Sequence, residues 1–197
     1  AELHEIPPNG QGLMALISLG ILEQCHSRDL TLDSADSVHL QIEAQRIAYA
    51  DAERHLADIA HMRTSVDALL DETYLKERAH SINLRATNPH PTALGAAPDT
   101  VYLTTADASG MMVSMIQSNF RGFGSGIVVP GTGISLQNRG SGFVLEDGHP
   151  NQVGPGKRPY HTIIPGFISR NNQPFMGFGV MGGHMQAQGH LQMMLRV

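Results

Sequence analysis

The glycines and the acidic residues of this chain sit in opposite halves. Divided after Asp99, residues 1–99 hold 4 of the 21 glycines and 15 of the 18 acidic residues, while residues 100–197 hold the other 17 glycines and 3 acids. With 7 and then 6 basic residues, the halves carry −8 and +3. Glycine weakens a helix interior but supplies the backbone freedom that tight turns need. The chain therefore reads as helical first and strand-and-turn second, an α+β architecture with a boundary at residue 100.

Spacing supports the helical half. Leu13, Leu16, Ile17, Gly20 and Ile21 fall on one stripe, with Asn9 in position to cap the first turn. A second helix is expected from Asp33 or Ser34 to Ala57. Val38, Ile42, Tyr49, Ala52 and Leu56 would form its buried side, with Glu43, Arg46, Glu53 and Arg54 elsewhere. A third is expected over Tyr74–Ser81, and the aperiodic, proline-rich stretch 85–99 reads as a linker.

In the second half, Val101–Ala106 and Met111–Ser118 flank Asp107-Ala108-Ser109-Gly110, a hairpin signal. Two further strand pairs are expected, Gly126–Val129 with Gly133–Asn138 and Tyr160–Ser169 with Pro174–Val180, then a helix from His184 to Leu195. Met111, Met112, Met115, Met193 and Met194 read as core filler.

Composition narrows the functional classes. A net charge of −5 on 197 residues argues against a nucleic-acid binder. At 41% hydrophobic and 16% charged the chain is not of disordered type. No apolar run approaches the roughly 20 residues of a membrane span. Cys25 is the single cysteine, so no intrachain disulfide or thiolate metal cluster is expected. Without an initiator Met or signal-peptide pattern, the chain reads as a piece of something longer, in the cytoplasm or the periplasm.

Taken singly, the chemical candidates are plain. The 11 histidines show no metal-ligand spacing and read as structural or surface residues. Gly177-Phe178-Gly179-Val180-Met181-Gly182 matches a dinucleotide-loop pattern, yet no acidic residue follows to hold a ribose. The milder reading is a turn whose amides face a helix start and suit an oxyanion. By propensity alone Thr100 is a β-former at the mouth of a strand.

In order along the chain, however, the motifs form a series: Glu5-Ile6-Pro7-Pro8-Asn9-Gly10-Gln11-Gly12, His39-Leu40 with Ile42-Glu43-Ala44, Ala48 with Ala50-Asp51, Asp99-Thr100-Val101-Tyr102-Leu103, Gly122-Phe123-Gly124-Ser125-Gly126, Gln137-Asn138-Arg139-Gly140, Gly156-Lys157-Arg158-Pro159 and Gly182-Gly183. This series closely resembles the γ-glutamyltransferase (γ-glutamyl transpeptidase) family, above all its acylase-like branch, over essentially the whole chain. The resemblance implies an N-terminal-nucleophile hydrolase with an α/β/β/α sandwich, here partial, made as a self-cleaving precursor. Residues 1–99 would end the large subunit and residues 100–197 begin the small one.

The same resemblance implies a mechanism and a set of site residues. Cleavage between Asp99 and Thr100 would free the Thr100 amine, whose reference pKa of about 7.7–8.0 suits a base for its own hydroxyl. Thr100 would then form an acyl-enzyme from an amide, resolved by water or an amine acceptor. Gly182 and Gly183 match the oxyanion-hole glycines, and Ser118 a second hydroxyl beside the nucleophile. In glutathione-cleaving members an Asn and an Asp hold the glutamate amino group; here those positions are Phe120 and Gly142. A family Gln is Arg139, and paired serines are His161 and Thr162. An ordinary γ-glutamyl donor is therefore not expected, or is held differently. The resemblance calls for no cofactor or metal. Its partners are a small amide or γ-glutamyl substrate, the remainder of both subunits and, through faces left open, another copy of the chain. A catalytically silent scaffold is the alternative.

Overall fold

The computed structural model describes residues 1–83, 85 and 100–197. Asp99, and the expected linker apart from Arg85, lie outside the described residues. The elements run β1 (Glu2–His4), α1 (Gly12–Gln24), α2 (Ala35–His55), α3 (Val66–Leu69), α4 (Glu72–His80), β2 (Thr100–Ala106), β3 (Met112–Ser118), β4 (Gly166–Arg170), β5 (Gln173–Phe178) and α5 (Gln186–Met194).

Helix α1 is the centre of the helical layer. Leu13, Met14, Ala15, Ile17, Ile21 and Leu22 are all buried, so apolar side chains face α2, α4 and α5 from more than one side. Gly20 lets α4 approach, because a Cβ there would meet Leu75 at 2.5 Å. Asn9 does not cap this helix. The residue before its first turn is Gln11, whose side chain makes no capping bond; Asn9 instead donates to the Pro159 carbonyl. Its own carbonyl accepts from the His161 amide at 3.0 Å.

Helix α2 opens on Ser34, whose hydroxyl accepts from the Ser37 amide. The side expected from its apolar residues is covered only toward the end of the helix, at Ala52 and Leu56. Ala44, Ala48 and Ala52 are buried while Val38 and Ile42 are 39% and 51% exposed. The small residues at i, i+4 and i+8 allow close approach to α1. Buried polar neighbours are then paired: Gln45 accepts from Ser18 at 3.2 Å, and Asp51 holds Arg78 of α4 at 2.9 Å. Glu43, expected outside, is buried.

The strands form a three-stranded antiparallel sheet, β1-β4-β5, and the β2-β3 hairpin. Strand β1 brings Glu2 opposite Ser169, so the start of the chain is sewn into a sheet of the second half. The hairpin runs in register from Thr100↔Ser118 to Ala106↔Met112, and its turn is closed by Asp107 Oδ1, which accepts from the Ser109 amide at 2.8 Å. Ser114 of β3 donates to the Phe178 carbonyl at 3.2 Å, setting the hairpin against β5. The methionines are not uniformly core: Met111, Met115 and Met193 are 67%, 48% and 38% exposed.

Between β3 and β4 the expected strand pair 126–138 is absent, leaving one bridge, Val128↔Ser135. Gly122, Gly124, Gly126, Gly131 and Gly133 all take positive φ, which interrupts extended backbone. Backbone bonds still join its two arms, Leu136 to Ile127 and Val129 to Ile134 both at 2.9 Å, and amide side chains add to them. Asn138 Nδ2 donates to the carbonyls of Arg121 at 3.2 Å and Gly124 at 3.0 Å, and Asn138 Oδ1 accepts from the Arg121 amide at 3.1 Å. Likewise the strand expected over 160–169 shortens to β4, and Asn151 ties Tyr160 to Gly142. Among the described residues no helix is long and apolar enough to cross a membrane.

Candidate active site

Thr100 opens β2 directly across from Ser118, the last residue of β3. The Thr100 hydroxyl donates to Ser118 Oγ at 3.1 Å, and the same oxygen accepts from the Phe120 amide at 2.8 Å. The latter bond belongs to a sharp turn in which Phe120 takes φ +79°, a left-handed conformation uncommon for a bulky residue. The turn folds the Phe120 ring inward, where the Arg139 guanidinium lies 5.0 Å from its centroid.

Arg139 is 4% exposed. Its Nη1 donates to Thr162 Oγ1 at 3.0 Å, while Nη2 is buried with no hydrogen-bond partner among the described residues. Burial lowers its pKa from the usual arginine value, though not enough to remove the charge of a guanidinium. Next to Thr162, the His161 imidazole is pushed down to about 4 by burial and then by Arg139, so it is neutral near pH 7. The charge of this cluster is thus the guanidinium's alone. Gly142 explains why no carboxylate opposes it: a Cβ there would lie 2.7 Å from the Tyr160 carbonyl oxygen.

The Thr162 carbonyl accepts from Gln11 Nε2, which also donates to the Gly183 carbonyl at 2.8 Å. Gly182 and Gly183 take φ +155° and +62° in the turn that enters α5, and the approach to that turn runs beside β2, since a Cβ on Gly179 would meet the Tyr102 ring at 2.5 Å. One unbroken path of contacts therefore links Thr100, Ser118, Phe120, Arg139, Thr162, Gln11 and Gly183, with His161 alongside. These positions lie up to 172 residues apart.

Sequence reasoning assigned no role to Gln11 or Tyr160. Gln11 Oε1 accepts from the Tyr160 hydroxyl at 2.8 Å, and the Tyr160 ring stacks on His184 at 5.6 Å between centroids. Burial raises the Tyr160 pKa and lowers that of His184, with Arg121 adding to the second shift. The one available signal for Gln11 was a polar residue at the head of an otherwise apolar helix. Among the described residues no three His, Cys, Asp or Glu side chains group as a metal site.

The sequence model of the family described as Gamma-glutamyltranspeptidase matches residues 1–197. The chain belongs to this family. It is 39% identical over 186 residues to the oxamate amidohydrolase proenzyme of Klebsiella pneumoniae, covering 94% of this chain and 35% of that protein. It is 35% identical over 187 residues to the glutathione hydrolase-like YwrD proenzyme of Bacillus subtilis, covering 95% of this chain and again 35% of the relative. Among solved structures, a cephalosporin acylase from Bacillus halodurans superposes with a TM-score of 0.86 at 48% identity, over 98% of this chain and 35% of that one. The α+β fold is thus that of gamma-glutamyltranspeptidase-type acylases and hydrolases, and the chain spans about a third of the length of the relatives it matches. Both curated relatives are named as proenzymes, so the family context is one of precursors that are processed.

Proposed function

We propose that this chain carries the nucleophile, the oxyanion turn and part of the acyl pocket of an N-terminal-threonine amidohydrolase or acyltransferase. The observation that carries the reading is the Thr100–Ser118 hydroxyl pair at 3.1 Å, joined through Phe120, Arg139, Thr162 and Gln11 to the Gly182-Gly183 turn. In the precursor, Thr100 Oγ attacks the Asp99 carbonyl carbon. The Asp99–Thr100 C–N bond breaks as the acyl group moves to oxygen, and water hydrolyses the ester to leave an Asp99 carboxylate and a free Thr100 amine. That amine then takes the proton of its own hydroxyl as Oγ adds to a substrate amide.

The tetrahedral oxyanion is received by the amides of Gly182 and Gly183, each such donor being worth about 10²–10³ in rate. The proton passes to the departing amine, and water or an acceptor amine releases the acyl group from Thr100. Ser118 steadies the nucleophile. Phe120, Arg139, His161 and Thr162 line the acyl pocket, which the rest of the large and small subunits complete. With Arg139 positive, and no carboxylate at Phe120 or Gly142, an α-ammonium finds no counter-charge, so the favoured acyl donor is not an ordinary γ-glutamyl amide. The oxamate amidohydrolase and cephalosporin acylase names of two relatives agree with donors outside that class.

The test is intact mass of the full-length protein beside Thr100→Ala, followed by turnover of γ-glutamyl-p-nitroanilide and of glutaryl-p-nitroanilide, which differs by lacking the amino group. Two fragments, the second beginning at Thr100, are expected only for the wild type, with the glutaryl amide the better substrate. An uncut wild type would favour a silent scaffold. Efficient use of the γ-glutamyl amide would refute the pocket argument.

A further inference from the structure

The Gly182-Gly183 turn needs something to hold it. Two successive glycines at positive φ have no Cβ to restrict them, and the peptide planes on either side can rotate at small cost. An oxyanion turn whose amides wander loses the advantage of donors fixed before the reaction. Local structure gives each carbonyl a first donor: the Gly182 carbonyl accepts from the Met185 amide at 3.3 Å, and the Gly183 carbonyl from the Gln186 amide. The Gly183 carbonyl, part of the peptide that leaves the turn, takes a second donor from 172 residues away, Gln11 Nε2 at 2.8 Å.

Gln11 is itself immobilised. It is fully buried, its backbone amide donates to the His161 carbonyl at 3.0 Å, and its Nε2 also reaches the Thr162 carbonyl. Its Oε1 takes the Tyr160 hydroxyl at 2.8 Å, which fixes which end of the amide faces Gly183. Every polar atom of the side chain is thereby used, and each partner lies in the second half of the molecule.

We infer that Gln11 is a positioning residue: it touches no reacting atom, and it ties the Gly183 carbonyl to the Thr162 carbonyl through one amide group, so that the end of the turn is set before substrate arrives. The inference rests on the proposed function, and the two fail differently in one experiment on the full-length protein with glutaryl-p-nitroanilide and γ-glutamyl-p-nitroanilide as probes. Gln11→Leu keeps the bulk and removes the clamp; kcat is expected to fall about 10–10²-fold with KM within about twofold, the size that a small misplacement of the turn produces. Tyr160→Phe leaves Gln11 in place without its orienting hydroxyl, and a loss of about 3–10-fold is expected, roughly one hydrogen bond.

Gln11→Glu separates positioning from mere structure. Protonated, the introduced carboxyl offers one donor to Gly183 and one acceptor to Tyr160; ionised, it faces two carbonyl oxygens, so its proton is held to higher pH. The kcat of this variant, divided by that of the wild type at the same pH, is expected to rise at least fivefold from pH 9 to pH 6. The facing groups do not imitate this: burial holds the Tyr160 hydroxyl protonated, His161 stays neutral down to about 4, His184 is shifted toward neutrality, and Arg139 stays charged. A pH-independent ratio, or wild-type kcat in Gln11→Leu, would overturn the clamp while leaving Thr100 as nucleophile. Equal turnover by wild type and Thr100→Ala, or a wild type inert on both probes, would remove the proposed function and this inference with it.

Discussion

The layer around α1 and the loop region 119–165 are built by different means. Around α1, apolar side chains at helical spacing meet an alanine face on α2, and burial does most of the stabilising. Between β3 and β4 there is little regular structure and few buried aliphatic residues; Asn138 and Asn151 each bridge separate backbone groups, and Arg139 reaches the Thr162 hydroxyl. The first region tolerates many sequences that keep the pattern. The second depends on particular side chains, and it holds Phe120, Arg139, His161 and Thr162, the residues proposed above to meet the acyl group.

The largest expected effect breaks the helical layer. Ile17 is 1% exposed, and Ile17→Ala should cost about 2–5 kcal/mol in urea denaturation. The same change at Ile42, 51% exposed on the neighbouring helix, should cost about 1 kcal/mol or less; equal losses would mean that α2 presents its Val38–Ile42 face to the core after all. A smaller effect is expected from Asn138→Ala, about 0.5–1.5 kcal/mol for the hydrogen bonds lost. Its mark should be local, with limited proteolysis between residues 119 and 138 accelerating before the global melting point moves far. Uniform loosening would contradict a separately stapled loop region.

The smallest effect is a pH dependence within the pocket wall. The His161 pKa is depressed in the folded protein to about 4 from an ordinary 6.5, so the unfolded chain binds the proton first. The stabilising contribution is then complete above about pH 6.5 and is lost as pH falls toward 4. His161→Gln should flatten that part of the melting-temperature profile relative to the wild type, and parallel profiles would show that the imidazole is not held neutral.

Legibility in the sequence followed the same division. Periodicity located α1, α2, α4 and the β2-β3 hairpin because those elements answer to local spacing. On α2 it placed Ala52 and Leu56 in the core but misjudged Val38 and Ile42, because close helix approach there favoured Ala44 and Ala48 over bulky residues. It misread 126–138 as strands, because glycines at positive φ are invisible in a β-rich composition, and it placed a cap on Asn9 whose side chain was needed at Pro159. For the candidate site, the order of motifs singled out Thr100, Ser118 and the glycine turn, of which the structure pairs Thr100 with Ser118. Gln11 and Tyr160 were not, since a hydrogen bond spanning 149 residues leaves no local trace.

The pairing of β1 with β4 has a consequence for what a cut chain would be. Glu2–His4 lies within the sheet of the second half, Glu5 meets His190 at 2.5 Å in full burial, and Asp58 holds the Arg158 backbone amide at 2.9 Å. Scission just before Thr100 would alter connectivity without disengaging any of these ties. The two products would remain one interlocked body, parted by unfolding rather than by dilution.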